Sequence, residues 1–296
     1  MSDAPTIDLD AYRFTDGDRL ADFATDDAGP FEGEDSAQAY VEREARRLSR
    51  LQHILHAHGR YGLLLVVQGM DASGKDEAIV QVTAAMDPQQ CEAVHVHAPT
   101  EREAKHDYLW QTFQALPARG QVAVFNRSYY ERVVGDRVHR DRIDEQHLPD
   151  EIAAGAESGA LWDDRLRQIR DFERYLGENG VVVRKVLLHV SKDVQRERLL
   201  ERTERPEKRW DVSRADAEDR EHWDEYMHAY DEALRATSTA DAPWFVVPAD
   251  GKWVSRAVVA AVVADALGAL HDDFPEPDDE LQALIEEVRE KLEADA

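Results

Sequence analysis

Lys75 stands directly after Gly74 and six positions after Gly69, in the run GMDASGKD that spans residues 69–76. Glycines at this spacing let the backbone curl so that its N–H groups point inward, and a lysine at the start of the next helix adds a full positive charge. That combination grips phosphate oxygens. Gly69, Ala72, Ser73, Gly74, Lys75 and Asp76 are therefore the expected phosphate-contacting positions. The residue after the lysine is ordinarily Ser or Thr, whose hydroxyl helps hold magnesium; here it is Asp76. Another oxygen must take that part, and Asp71 inside the loop is the first candidate. A glycine turn with a solvated lysine would explain the loop alone, but not its flanks.

A second group is Asn126-Arg127-Ser128-Tyr129-Tyr130-Glu131-Arg132, which follows the apolar run 122–125. Nucleotide-binding folds often carry a magnesium carboxylate at the position of Asn126, so carboxylate work falls to Asp71 and Glu131. Arg127 is placed as a phosphate clamp, with Arg132 and Arg137 nearby. Read alone, this stretch is equally a strand-to-helix turn capped by Asn126. A third group is Arg198, Arg202, Arg205, Lys208 and Arg209, beside Pro206 and Trp210. Some of these pair with Glu197, Glu201 and Glu204 on a helix surface. As a set they also suit a lid that closes cations over phosphates and excludes water.

The elements that must position these groups read clearly. Residues 63–67, LLLVV, form an apolar run suited to a strand buried on both faces, and Ala78, Ile79 and Val82 mark one side of the helix after the loop. A helix is predicted from Ser36 to Gly59, a strand over 91–98, and a helix after a capping box at Thr100 and Glu103. A long helix follows over about 148–176, then strand 181–190 and a helix capped by Ser191. A helix over about 214–237, strand 244–248 and an apolar helix from about 256 complete the pattern. Strands alternating with helices predict an α/β fold with a parallel sheet between two helical layers. Ligands in such sheets bind beyond the carboxyl ends of the strands.

Composition narrows the partners. The 296 residues carry 62 Asp and Glu against 36 Lys and Arg, a formal charge of −26, with only 7 Lys to 29 Arg. Such a surface repels nucleic acid and anionic membranes and suits a salt-rich, halophilic cytoplasm. Cys91 is the only cysteine, which excludes an intrachain disulfide. No signal peptide and no bilayer-spanning run is read, so a soluble cytoplasmic protein is expected.

Beyond GMDASGKD, the chain carries in order HAPTEREAKHDYLWQ at 97–111, FNRSYYERVVGDRVH at 125–139, RPEKRWDVSRAD at 205–216, HWDEYMHAYDEAL at 222–234 and ATSTADAPWFVVPADGKW at 236–253. This ordered set resembles the family 2 polyphosphate kinases, and the FNRSYYE form is similar to class III members. The resemblance implies a three-layer P-loop kinase-like fold over 37–271 with a helical lid at about 198–225. An acidic arm at 1–36 precedes it and an acidic tail at 272–296 follows. It implies Mg2+-dependent transfer of phosphate from inorganic polyphosphate to AMP or ADP, giving ADP or ATP, in a homodimer or homotetramer. Asp71, Lys75, Arg127 and Glu131 would be the catalytic set, and Asp71, Asn126 and Glu131 would hold the metal. Arg132, Arg137, Arg202, Lys208 and Arg209 would bind phosphates. The chain departs from the family at His97, where lysine is common, at Gln111, where arginine is common, and at Asp211, where lysine is usual. Each removes positive charge. Two other readings stand beside this one: an ATP-dependent P-loop kinase of nucleotides or small molecules, and a non-catalytic nucleotide or polyphosphate binder.

Overall fold

The computed structural model describes residues 5–295, with Asp211 described by its backbone alone. Five strands build one parallel sheet: β1 (Gly62–Gly69), β2 (Cys91–His95), β3 (Val122–Asn126), β4 (Val181–His189) and β5 (Trp244–Pro248), in the order β2-β3-β1-β4-β5. β1 lies at the centre, and every one of its residues is buried, as its unbroken apolar sequence requires. Leu63 pairs with Val122 of β3 and Val67 with Asn126, so β3 ends beside the loop that leaves β1.

Seven helices are used below: α1 (Glu34–His58), α2 (Lys75–Thr83), α3 (Ala160–Glu178), α4 (Lys192–Glu204), α5 (Ala215–Glu221), α6 (Trp223–Thr237) and α7 (Lys252–Gly268). The Ala- and Val-rich α7 is buried almost throughout and packs against α1, α2 and the sheet. α3 and α6 pack together, with α3 against β4. The three-layer α/β architecture read from the sequence is present.

A buried charge fastens the α3 and α6 layer to the sheet. Lys185 of β4 is fully buried; its Nζ donates to Glu173 Oε2 of α3 at 2.5 Å and to the Thr237 carbonyl of α6 at 2.7 Å. Tyr129 and Tyr130 donate their hydroxyls to Glu173 Oε1 at 2.8 and 2.9 Å. These two tyrosines sit between Arg127 and Glu131, so the same ion pair pins the turn that presents both.

Several boundaries differ from those predicted. α1 starts at Glu34, and the Ser36 hydroxyl accepts from Gly33 N–H inside its first turn. The capping box at Thr100 and Glu103 forms, yet it starts only the short turn Glu103–Lys105, and Trp110–Gln114 is a separate short helix. The long helix over about 148–176 is divided by Gly159, whose φ of 90° ends one helix before α3 begins. His222 similarly separates α5 from α6. The stretch before α1 lies against the domain: Phe14 N–H donates to the Trp244 carbonyl at 2.9 Å, and Tyr12, Phe14, Leu20 and Phe31 are buried. It thereby covers the open edge of β5. No helix among the described residues is long and apolar enough to cross a membrane.

Candidate active site

The loop between β1 and α2 is held by its own geometry and by a neighbouring arginine. At Gly69 a Cβ would meet Ser73 Oγ at 2.7 Å and the Leu188 carbonyl at 2.8 Å, so only glycine fits. Ala72 takes a left-handed φ of 60°, a conformation that costs a non-glycine residue about 1 kcal/mol. Lys75 opens α2 and turns back under the loop, donating from Nζ to the carbonyls of Gly69 at 2.8 Å and Met70 at 3.0 Å. From α4, Arg198 donates through Nη1 to the carbonyls of Ala72 and Ser73 at 3.0 and 3.2 Å, and through Nη2 to those of Ala249 and Asp250 at 2.7 and 2.9 Å. The guanidinium fork thus ties the phosphate loop to the end of β5. Gln195 of α4 adds a bond to the Asp71 carbonyl at 3.1 Å.

Four charged side chains meet at the loop. Arg127 follows β3 with a left-handed φ of 61°, and its N–H donates to the Val67 carbonyl of β1 at 3.0 Å. That fixes its side chain toward the loop, where Nη2 bonds Asp71 Oδ1 and Nη1 lies 3.5 Å from Glu131 Oε2. Lys75 Nζ lies 3.9 Å from the same Asp71 oxygen. Burial pulls the Asp71 carboxyl upward, but the charges of Lys75, Arg127 and Arg202 outweigh it and hold the group below the usual carboxylate range. Burial and the adjacent Arg127 bring the Lys75 ammonium down to about 8, against the opposing pull of Asp71, Glu131 and Asp76. Glu131, and then Asp71, push Arg127 above its ordinary value in spite of its burial.

The groups converge on a cavity of about 590 Å3. Asp71, Ala72, Gly74, Lys75, Asp76, Asn126 and Arg127 line one part of it; Glu201, Arg202, Lys208, Trp210, Ser213 and Asp216 line another. The phosphate loop, the end of β3 and the segment at 198–225 therefore face one space. Arg202 pairs with Asp216 at 3.3 Å in its wall.

Other sequence candidates face elsewhere. Glu131 touches Arg127 but is not part of the cavity lining. Arg132 points to the buried Asp136 at 3.2 Å, because successive residues of the tight turn Tyr129–Arg132 project in different directions. Arg137 pairs with Glu232 of α6. Arg209 donates to the Thr203 and Glu204 carbonyls at 3.0 and 3.1 Å, closing the end of α4. Gly69 and Ser73 shape the loop from beneath rather than lining the cavity. His97 and Gln111, two of the uncharged departures, touch each other at 3.3 Å. Arg198 is marked in the sequence only as one of a basic cluster, Lys252 only as part of the run at 236–253, and Gln195 not at all. Lys252 lines the cavity beside Glu77, its partner at 2.5 Å. No local spacing signals these three, since each acts across a long separation in the chain.

The donors available to a cation are oxygens. Asn126 donates from Nδ2 to Asp76 Oδ1 at 2.5 Å, while its own Oδ1 is buried without a hydrogen-bond partner. With Asp71 and Asp76, that orphaned oxygen suits a hard divalent ion. Among the described residues no cluster of three or more His, Cys, Asp or Glu forms a complete metal cage. Magnesium bound by one or two carboxylates together with substrate phosphates needs none. Chemically, the arrangement is a set of cations fixed around one carboxylate and aimed at one space, which serves phosphoryl transfer by position and charge.

Comparison with known proteins agrees with that chemistry. Residues 32–275 match the family model described as "Polyphosphate kinase 2 (PPK2)". The chain is 40% identical over 262 residues to the "ADP-polyphosphate phosphotransferase" of Rhodopseudomonas palustris, covering 88% of this chain and 90% of that one. It is 39% identical over 269 residues to the "AMP/ADP-polyphosphate phosphotransferase" of Meiothermus ruber, covering 90% and 94%. The crystal structure of polyphosphate kinase 2 from Arthrobacter aurescens TC1 superposes with a TM-score of 0.85 at 37% identity, over 97% of this chain and 98% of that one. With the phosphate loop, the FNRSYYER turn and the parallel sheet that carries them all in place, the chain belongs to the polyphosphate kinase 2 family.

Proposed function

We propose that this protein moves the terminal phosphoryl group of inorganic polyphosphate to AMP and to ADP, giving ADP and ATP. The observation that carries the reading is the single cavity that Lys75, Arg127, Arg202 and Lys208 line together with Asp71. The names of the Rhodopseudomonas and Meiothermus relatives support the same donor and acceptors.

In this reading Lys75 and Arg127 hold the oxygens of the terminal phosphoryl group, while Arg202 and Lys208 hold the chain behind it. An ionised phosphate oxygen of the nucleotide attacks the terminal phosphorus. The bond from that phosphorus to the bridging oxygen breaks, and its electron pair leaves on the shortened polyphosphate. The attacking phosphate is already ionised near neutral pH, so no side chain must remove a proton. Asp71 keeps Arg127 and Lys75 aligned, and Glu131 braces Arg127 from behind. Asp71, Asp76 and the Asn126 oxygen would hold a magnesium ion, which supplies charge neutralisation at the transferring oxygens.

The segment at 198–225 acts as a lid, contributing Arg202 and Lys208 when it closes. The working protein is a cytoplasmic homo-oligomer. Its charge of −26 reflects adaptation to high ionic strength, where the screened surface does not turn polyphosphate away.

The test is incubation with polyphosphate, magnesium and AMP in the absence of ATP. ADP and then ATP should form as the polyphosphate shortens. Products that form only when ATP is supplied would favour an ATP-dependent kinase. Nucleotide binding with no turnover under either condition would make the protein a binder.

A further inference from the structure

The tie from Gln195 to the phosphate loop continues into the lid. Gln195 of α4 is fully buried, and both ends of its amide are engaged. Its Nε2 donates to the Asp71 carbonyl at 3.1 Å, and its Oε1 accepts from Arg220 Nη1 of α5 at 3.0 Å. Arg220 Nη1 also donates to the Lys192 carbonyl at the start of α4. Loop and lid helix are therefore joined through one side chain, in the order Asp71, Gln195, Arg220.

The join has a direction. A glutamine amide donates at one end and accepts at the other, whereas a guanidinium only donates. Arg220 thus selects the orientation that turns the Gln195 N–H toward the loop. Without Arg220, Gln195 Oε1 would be a buried acceptor with no partner, a state that folded proteins avoid. Turning the amide over would set its oxygen against the Asp71 carbonyl.

The loop residue held in this way governs alignment. The Asp71 carboxylate bonds Arg127 and lies 3.9 Å from Lys75 Nζ. Ala72, the next residue, keeps its left-handed φ of 60°, and its carbonyl accepts from Arg198. Two side chains of α4 thus restrain the carbonyls on either side of the Ala72 Cα, where the backbone is strained. The position of α5 is set by residues close to Arg220. Asp219 Oδ1 lies 2.6 Å from His139 Nε2, past the turn after β3, and Asp216 pairs with Arg202 of α4 at 3.3 Å.

We infer that Gln195 and Arg220 are positioning residues that couple the docking of α5 to the setting of the phosphate loop. The inference rests on the phosphotransferase reading above and adds how the position of the lid reaches Asp71. With α5 docked, Arg220 orients the Gln195 amide, Gln195 holds the Asp71 carbonyl, and the carboxylate stays between Lys75 and Arg127. Neither Gln195 nor Arg220 lines the cavity. Their loss disturbs the geometry of transfer rather than the affinity for substrate.

Three variants test this: Gln195→Met, which keeps the length of the side chain without its polar ends, Arg220→Ala, and the two combined. The readouts are kcat, KM for polyphosphate and for AMP, and hydrogen exchange of the peptide covering residues 69–76. Each single variant should lose about tenfold or more in kcat, with both KM values within about threefold of the parent. The double variant should fall no more than about threefold below the weaker single, because both residues act through one contact chain. Losses that multiply to about a hundredfold overturn the inference, as does a rise in KM for polyphosphate with kcat kept. Exchange at 69–76 should quicken in each variant while the β3 peptide keeps the parent's protection; unchanged exchange there overturns the coupling. Arg220 is only half-buried, so Arg220→Ala decides by kcat and exchange if the melting temperature shows Gln195→Met to be unfolded. If the parent transfers no phosphate from polyphosphate, the functional reading fails on its own and exchange still decides. Faster exchange in the loop then supports the coupling, and exchange equal to the parent's overturns it.

Discussion

Asp71 is shared by Lys75 and Arg127, and this sharing governs what substitution at the site should do. Both cations keep their direction because one half-buried carboxylate lies between them. Lys75→Ala removes the charge nearest the loop while leaving the glycine geometry and the Arg198 tie intact. It should lower kcat/KM for polyphosphate by about a hundredfold to a thousandfold, with a melting temperature close to the parent's; turnover near the parent level would remove Lys75 from the mechanism. The depressed pKa of this lysine gives a second prediction. Its ammonium form is complete below pH about 8 and is lost as pH rises through that value. Polyphosphate binds the ammonium form, so its KM should rise on the alkaline side of pH about 8. In a KM profile across the neutral and alkaline range, the Lys75→Ala protein should lack this limb. An equal alkaline limb in both proteins would assign the titration to another group.

At the scale of elements, the site is three pieces held in register: the loop after β1, the turn after β3, and α4. The Glu173–Lys185 pair sits behind the second piece and joins β4, α3 and α6. Glu173→Ala leaves Lys185 buried without its counter-charge and releases Tyr129 and Tyr130. The loss should be about 3–5 kcal/mol of unfolding free energy, read by urea titration. A loss below about 1 kcal/mol would show that the pair does not fasten the turn. This scale also marks what the sequence could convey. β1, its loop and α2 are contiguous, and their apolar run, glycines and lysine were legible because each signal is local. The tie from Arg198 to Ala72 and Ser73 was not, since it depends on α4 and the end of β5 arriving at the same place. Arg132 shows a related limit: adjacency to Glu131 in sequence says nothing about the direction of its side chain, which here meets the buried Asp136. The box at Thr100 and Glu103 formed as read, but the helix it starts is a single short turn.

The whole molecule carries −26 charges on a single parallel sheet with its helical layers and still gathers cations into one cavity. Self-repulsion of that surface weakens as added salt shortens its range. The urea midpoint should therefore rise between dilute buffer and molar KCl; an unchanged midpoint would contradict salt adaptation. Labelled substrate reveals the origin of the transferred phosphate. Polyphosphate carrying 32P is mixed with unlabelled AMP and magnesium, with no ATP added, and the nucleotides are separated. Label is expected in the β-phosphate of ADP and then in the γ-phosphate of ATP. Label that stays in polyphosphate or appears only as orthophosphate, with ADP formed solely after ATP is supplied, would contradict transfer from polyphosphate.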